Sequence, residues 1–233
     1  MSFTSVFSPN TAPGDTPLPL NRFRIARFER VISLIDDIIS KKNNCRIVDL
    51  GGTPGYWNNF EPFLTGKSIE ITVVNLKSFT FCPSRVSCIQ HDATDLSIFS
   101  DDAFDLVHSN STIEHIGPWR RMEALAQEAR RLAPAYYIQT PNFWFPYEFH
   151  TKMIGFHWLP GAWRAGLLMK RARGYYPRAS NIGEAMLMVE DARCLTYAEM
   201  HWLFPDAALT GERFCGLNKS WLAIRSSRAK SLQ

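Results

Sequence analysis

Arg46-Ile47-Val48-Asp49-Leu50-Gly51-Gly52-Thr53-Pro54-Gly55 is the stretch on which the reading of this chain turns. Ile47, Val48 and Leu50 form a short apolar run of the kind that makes a buried strand. Gly51, Gly52 and Gly55 follow at once, and a helical stretch opens at Tyr56. A strand that runs into a glycine turn at a helix N-terminus brings backbone N–H groups close to a nucleotide-like ligand in α/β proteins. The plainer alternative is a strand-to-helix turn and nothing more. The spacing is not Gly-x-Gly-x-x-Gly, because Thr53 holds the place of the second glycine. No Gly-Lys-Ser/Thr follows, which excludes a phosphate-cradling P-loop.

Working outward, the same strand-then-turn pattern recurs. Ile71 to Asn75 reads as a second strand. Gln90-His91-Asp92-Ala93 ends a third, and Phe104 to Ser111 carries a fourth. Thr112-Ile113-Glu114-His115-Ile116 follows the fourth strand. Upstream, apolar residues from about Asn21 to Ser40 recur at helical spacing, and Lys41 to Asn44 is a polar stop. A second helix is expected from Tyr56 to Leu64, with its end left open by Pro62. Pro118 suits the first turn of a helix over Trp119 to Leu132. Ala135 to Thr140 reads as a fifth strand. Ala207 to Phe214 and Ser220 to Arg225 are strand-like runs separated by Gly216, Leu217 and Asn218. Strands that alternate with helices in this way predict an α/β, doubly wound, mostly parallel sheet.

These motifs, in this order over residues 45 to 140, resemble the class I S-adenosylmethionine (SAM) methyltransferases, and within them the broad methyltransferase type 11 group. The glycine stretch is similar to the family's first motif, Asp-x-Gly-x-Gly-x-Gly. Asn75 stands where the family usually carries an acid. Asp92-Ala93 looks like its adenine-binding pair, and Phe104-Asp105-Leu106-Val107 resembles its fourth strand. Thr112 to Ile116 looks like the Ile-Glu-His-Val segment of its small-molecule enzymes. The resemblance implies a Rossmann-like, seven-stranded sheet closed by a C-terminal antiparallel hairpin. It also implies a helical, aromatic lid after the fifth strand. Residues 1–19, with Pro9, Pro13, Pro17 and Pro19, read as a flexible arm. Residues 20–233 read as one domain, in which 141–190 form the acceptor-binding lid.

Composition agrees with an enzyme of this size. A chain of 233 residues with 45% hydrophobic content is globular and fits one sizeable domain. A net charge of +4 is too mild for a dedicated nucleic-acid binder, so no nucleic-acid partner is expected. Five scattered cysteines without a Cys-x-x-Cys pair suggest free thiols in a reducing compartment, and no metal site is called for. There is no secretory signal, and Ile154 to Met169 is too short and too interrupted to span a bilayer. A cytoplasmic, soluble enzyme is the default. Oligomeric state is not legible.

The resemblance implies SAM as cofactor. It would be held by Asp49, Gly51, Gly52, Thr53, Gly55, Asn75, Leu76, Asp92, Ala93, Ser109 and Asn110. Asp49 organises the glycine loop, and in the family it often reaches the cofactor's amino group. Asn75 offers one acceptor and one amide donor in place of two carboxylate oxygens, so weaker binding and a lost site both stand open. Asp92 either accepts from adenine or starts an Asx turn. Pro54 stiffens the loop and removes a donor.

His115 is the candidate general base, because its ordinary pKa lies near neutrality. Glu114 would orient acceptor or cofactor, or the two residues merely cap a helix. Asn142, Trp144, Tyr147 and His150 are the candidate acceptor contacts, with Glu148 beside them. Trp144, Trp158 and Trp163 form either an acceptor wall or lid core. Arg164, Lys170, Arg171, Arg173 and Arg178 are either a solvated face or a patch for an acidic substrate or a membrane surface. The reading is a methyltransferase acting on oxygen or nitrogen of a small-molecule or glycan-type metabolite. The rivals are a non-catalytic SAM-fold binding protein and a methyltransferase of a lipid-linked substrate at a membrane. An RNA or protein methyltransferase is disfavoured, since Ser109-Asn110-Ser111-Thr112 stands where an Asn-Pro-Pro-Tyr-type tetrapeptide would be.

Overall fold

The computed structural model describes residues 21–226, so the expected arm at 1–19 lies outside the described residues. Helix α1, Arg22–Lys42, begins where the Asn21 side chain accepts from the N–H groups of Phe23 and Arg24. It ends at Asn43, whose φ of 63° is the left-handed cap that asparagine tolerates. Phe28, Val31, Leu34, Ile35 and Ile38 form its buried stripe.

Strand β1, Cys45–Leu50, then leads into α2, Pro54–Asn59, and α3, Glu61–Leu64. A single helix to Leu64 was expected. It breaks at Phe60, because Pro62 has no N–H to continue the ladder and instead sits in the first turn of α3. Strands β2, Ile69–Asn75, β3, Val86–Gln90, and β4, Leu106–Asn110, follow. Helix α4, Trp119–Leu132, precedes β5, Ala135–Pro141. The chain then leaves the sheet. A two-residue ribbon, β6, Tyr147–Glu148, and β7, Met153–Ile154, precedes α5, Gly161–Lys170, and α6, Ile182–Glu190. Helix α7, Tyr197–Leu203, starts on a capping box between Thr196 and Glu199. The hairpin β8, Ala208–Phe214, and β9, Leu217–Arg225, ends the described fold. Its turn is Cys215–Gly216, both at positive φ, so Leu217 and Asn218 belong to the strand and not to the connection.

The sheet has seven strands in the order β3-β2-β1-β4-β5-β9-β8. All neighbours pair in parallel except β5 with β9 and β9 with β8, so β9 is the one reversed strand. Ile47, Leu106, Ala135 and Tyr137 face α1, α2 and α3, meeting Phe28, Ile35, Trp57, Phe60 and Leu64. Val48, Val107, Tyr136 and Ile138 face the other way, onto Met122, Leu125, Ala129, Met200 and Phe204 of α4 and α7. Residues beyond β5 hold a small core of their own around Phe156, Leu168, Tyr176, Ala185 and Met188.

The cysteine expectation is corrected. Cys82 and Cys88 are joined by a disulfide, which leaves Cys45, Cys194 and Cys215 free. The cysteine pattern therefore no longer argues for a reducing compartment. None of the helices among the described residues is long and apolar enough to cross a membrane.

Candidate active site

The sheet reverses its winding between β1 and β4, the place where ligands bind in open α/β sheets. The glycine loop lies at that point. Gly51 has φ +72°, and its N–H donates to the Val74 carbonyl at 2.7 Å. A Cβ there would come within 2.1 Å of Thr112 Cγ2, so the two crossover loops touch at Gly51. Thr53 occupies the N-cap of α2 but makes no side-chain cap bond; Pro54 has no N–H, and the Tyr56 N–H donates to the Thr53 carbonyl at 3.1 Å, so Gly55 is the first-turn donor that faces another acceptor.

Asp49 is fully buried, and both of its oxygens are engaged. Trp57 Nε1 donates to Oδ2 at 2.8 Å, and His108 Nδ1 lies 2.7 Å from Oδ1. Organising the loop was expected of Asp49. Reaching a ligand's amino group, directly or through water, was also expected; in this structure Asp49 is buried and its two oxygens serve the loop. Gly52 is part of the same arrangement, since a Cβ on it would fall 1.7 Å from Asp49 Oδ2.

His108 was missed by sequence reasoning. It stands opposite Asp49 in one strand pair and opposite Tyr137 in the next. Its ring lies parallel to Tyr137, with centroids 5.6 Å apart, and Tyr56 closes over it at 5.0 Å. His108 Nε2 and the Tyr137 hydroxyl are buried without a partner. The only sequence signal was a polar residue inside an apolar strand.

Asn75 closes the loop from the β2 side. Its amide donates to the carbonyls of Gly51 at 3.2 Å and Gly52 at 2.9 Å, while its oxygen accepts from the Lys77 N–H. A carboxylate cannot make the first two bonds. The departure from the family's acid thus has a structural use. Leu76 beside it is exposed.

Asp92 makes the Asx turn, with Thr94 N–H and hydroxyl both bonded to Oδ1. Arg121, also unforeseen, donates to both of its oxygens at 3.1 and 2.8 Å. Burial pushes its pKa up, but the Thr94 and Arg121 bonds outweigh that and hold it below the ordinary carboxylate range. Ala93 is buried next to it.

Ser109 and Asn142, both expected to meet a ligand, are buried. The Ser109 hydroxyl donates to the Leu50 carbonyl at 3.0 Å and ties β4 to β1. Asn142 is bonded within the protein through both its amide and its oxygen. Its amide donates to the Asn218 carbonyl, and its oxygen accepts from Trp144 N–H and Trp221 Nε1. Asn110 stays half-buried at the rim, where Arg27 from α1 reaches both it and Gln139.

Of the residues expected to face an acceptor, Glu114, His115 and His150 come together. Glu114 is buried; Oε2 accepts from Thr140 Oγ1 at 2.8 Å, and Oε1 has no partner. His115 Nδ1 lies 3.0 Å from the Asp191 carbonyl oxygen, and its Nε2 is 3.1 Å from His150 Nε2. His150 Nδ1 is 2.6 Å from Glu148 Oε1. Thr151 N–H and hydroxyl both donate to Glu148 Oε2. Burial favours the neutral acid at Glu148, yet these bonds prevail and hold its carboxyl down at about 2. For His150, burial lowers the pKa, and Glu148, Glu114 and Asp191 together raise it by more. Trp144, Trp158 and Trp163 are all exposed, so they are not the core of this region. Tyr147 is at the surface too, packed edge-on against Phe149.

The comparisons agree with this architecture. Residues 66–135, from the turn before β2 to the start of β5, match the family model described as "Methyltransferase domain". No curated protein matches the chain. A SAM-dependent methyltransferase from Archaeoglobus fulgidus superposes with a TM-score of 0.56 at 14% identity, covering 86% of this chain and 91% of that one. One from Methanosarcina mazei gives 0.47 at 13%, covering 78% and 92%. Magnesium protoporphyrin IX methyltransferase from Synechocystis, with bound S-adenosylhomocysteine, gives 0.46 at 12%, covering 91% and 90%. The chain has the class I methyltransferase fold. Its motif-level resemblance to the SAM-dependent methyltransferases of the type 11 group holds.

Proposed function

We propose that this chain binds SAM at the glycine loop and transfers its methyl group to oxygen or nitrogen of a small-molecule or glycan-type acceptor. The observation that carries the reading is the glycine turn at the β1–β4 switch point of a sheet in methyltransferase order. When bound, SAM supplies an electrophilic methyl on sulfur, and the protein supplies its placement.

The residues present fit such a group. Backbone N–H groups of Gly52, Thr53 and Gly55 would meet the amino-acid end, with side chains kept out of the way. The Asn75 oxygen, Leu76, Asp92 and Ala93 line the path along the ends of β2 and β3. Asp92 keeps its charge there, being held below the ordinary range. Asp49 and Ser109 act from behind by fixing the loop. Acceptor activation is assigned to Glu114, His115 and His150. Trp144 and Tyr147 supply exposed apolar faces for the acceptor body. Holding the acceptor in line with the methyl can lower the barrier by about 7–11 kcal/mol without further chemistry.

Calorimetric titration with SAM and with S-adenosylhomocysteine tests the reading. Micromolar binding of both is the expected outcome. A folded sample that binds neither would overturn it and leave the non-catalytic reading in its place. Exposed Trp144, Ile154, Trp163 and Tyr175 favour, as a second reading, a lipid-linked acceptor at a membrane surface. Flotation with anionic liposomes separates the two, since only the second predicts co-flotation that charge reversal at Arg171 and Arg173 abolishes.

A further inference from the structure

We infer that Glu114, His115 and His150 form a binding site for a divalent transition-metal ion, of the kind zinc represents, on the acceptor side of the cleft. The three side chains each bring a ligand atom to within 4.8 Å of the others.

Tautomers come first. His150 Nδ1 faces a carboxylate oxygen of Glu148, and His115 Nδ1 faces the backbone carbonyl of Asp191. Both partners only accept, so both Nδ1 atoms carry the proton. In the neutral rings each Nε2 is then a bare lone pair, and the two Nε2 atoms lie 3.1 Å apart. Such a contact needs a cation against both, either a shared proton or a metal ion. Two imidazole nitrogens on one tetrahedral zinc, each at about 2.0–2.1 Å, lie about 3.3 Å apart. The observed separation matches that arrangement.

Glu114 supplies the second, independent observation. It is 1% exposed, and its Oε1 has no hydrogen-bond partner. A buried carboxylate oxygen without a partner is costly, and a metal ion satisfies it. The surroundings are those of a ligand set. A metal-bound histidine usually donates its other N–H to a carboxylate or a backbone carbonyl, and here one ring does each. Glu148 is itself pinned by Thr151 and by the His150 N–H. Two imidazoles and one carboxylate suit zinc, iron or manganese better than calcium or magnesium. Three protein ligands leave a coordination position open. An acceptor oxygen placed there would be polarised and would lose its proton more readily. In the loaded protein His115 Nε2 is a ligand and not a free base. That last step rests on the methyltransferase reading, whereas metal binding itself does not.

The test uses untagged protein stripped with a chelator, then titrated with zinc and, separately, with cobalt. SAM binding is measured on the same samples. The expected result is one ion per chain, with the visible spectrum of cobalt in a low-symmetry nitrogen and oxygen site. Glu114→Gln and His150→Ala should each weaken metal binding at least tenfold. Glu148→Gln should weaken it about 10–100-fold by loosening the ring it holds. His157→Ala, outside the cluster, should leave it unchanged. SAM affinity should stay the same in all four, which separates failure of the metal site from failure of the cofactor site. No uptake by folded wild-type protein would mean that the pair shares a proton, and would overturn the proposal. So would uptake that neither Glu114→Gln nor His150→Ala diminishes.

Discussion

The two halves of the cleft use polar side chains in opposite ways. On the glycine-loop side, Asp49, Asn75 and Ser109 are bonded to their own protein, and what remains for a ligand is mostly backbone. At the proposed acceptor side, Glu114, His115 and His150 lie together, and Glu114 Oε1 has no partner. A site for a ligand of fixed shape can be a moulded loop whose side chains stay behind it. A site that must act on an acceptor keeps reactive atoms in front.

Substitutions that fill the moulded half should cost the most. Gly52→Ala puts a methyl onto the Asp49 carboxylate, which Trp57 and His108 hold in place. A loss of about 3 kcal/mol is expected, as for overpacking against a buried, hydrogen-bonded carboxylate, and denaturant unfolding would show it. A stability change under 1 kcal/mol would mean that the loop gives way easily and the moulding is not rigid. Gly51→Ala meets both Thr112 and the positive φ, and should lose about 1–3 kcal/mol together with SAM affinity.

Asn75→Asp sharpens the contrast further. It removes two donors and sets a charge against two carbonyls, so a loss of about 1–3 kcal/mol is expected. SAM affinity should fall despite the return of the family's acid. A rise in affinity would show that ribose contact outweighs the clip.

Arg121→Ala should have a smaller effect, under about 1 kcal/mol, because the Asp92–Arg121 pair is one-third exposed. Its sign against pH is defined. Asp92 has a depressed folded pKa, so its contribution is present above the unfolded value, near 3.9, and is lost as pH falls through the folded value. Acid unfolding of wild type and variant should therefore converge at low pH. Trp144→Ala should change stability by no more than about 0.5 kcal/mol. Steady-state kinetics should show a raised acceptor KM with kcat little changed. Unchanged KM would remove Trp144 from the acceptor surface.

The strand positions along the chain were legible because each strand announced itself locally, from Ile47-Val48 through Leu106-Val107 to the closing hairpin; their order in the sheet came from the structure. The turn at Cys215–Gly216 was placed too late and the end of the second helix was left open at Pro62, since boundaries depend on which N–H finds a partner. Within the site, the glycine turn was legible because Gly51 and Gly52 leave room that no other residue would. His108 was not, because a histidine inside a strand becomes meaningful only when register sets it opposite Asp49. Arg27 and Arg121 were invisible for the same reason, as their partners lie 112 and 29 residues away.

What the sequence determined by itself was the alternation of strands and helices and the glycine turn that ends β1. These follow from short-range periodicity and from the conformations glycine alone tolerates. Only the tertiary structure decided which polar atoms are consumed and which are left over. His115 and His150 are separated by helix α4, strand β5 and the first strand of the β6–β7 ribbon, none of which holds a visible sign of their meeting. Packing of residues beyond β5 back onto the strand ends brings the two rings together, and register across the sheet buries Asp49 against His108. Such contacts are non-local, and no local pattern specifies them.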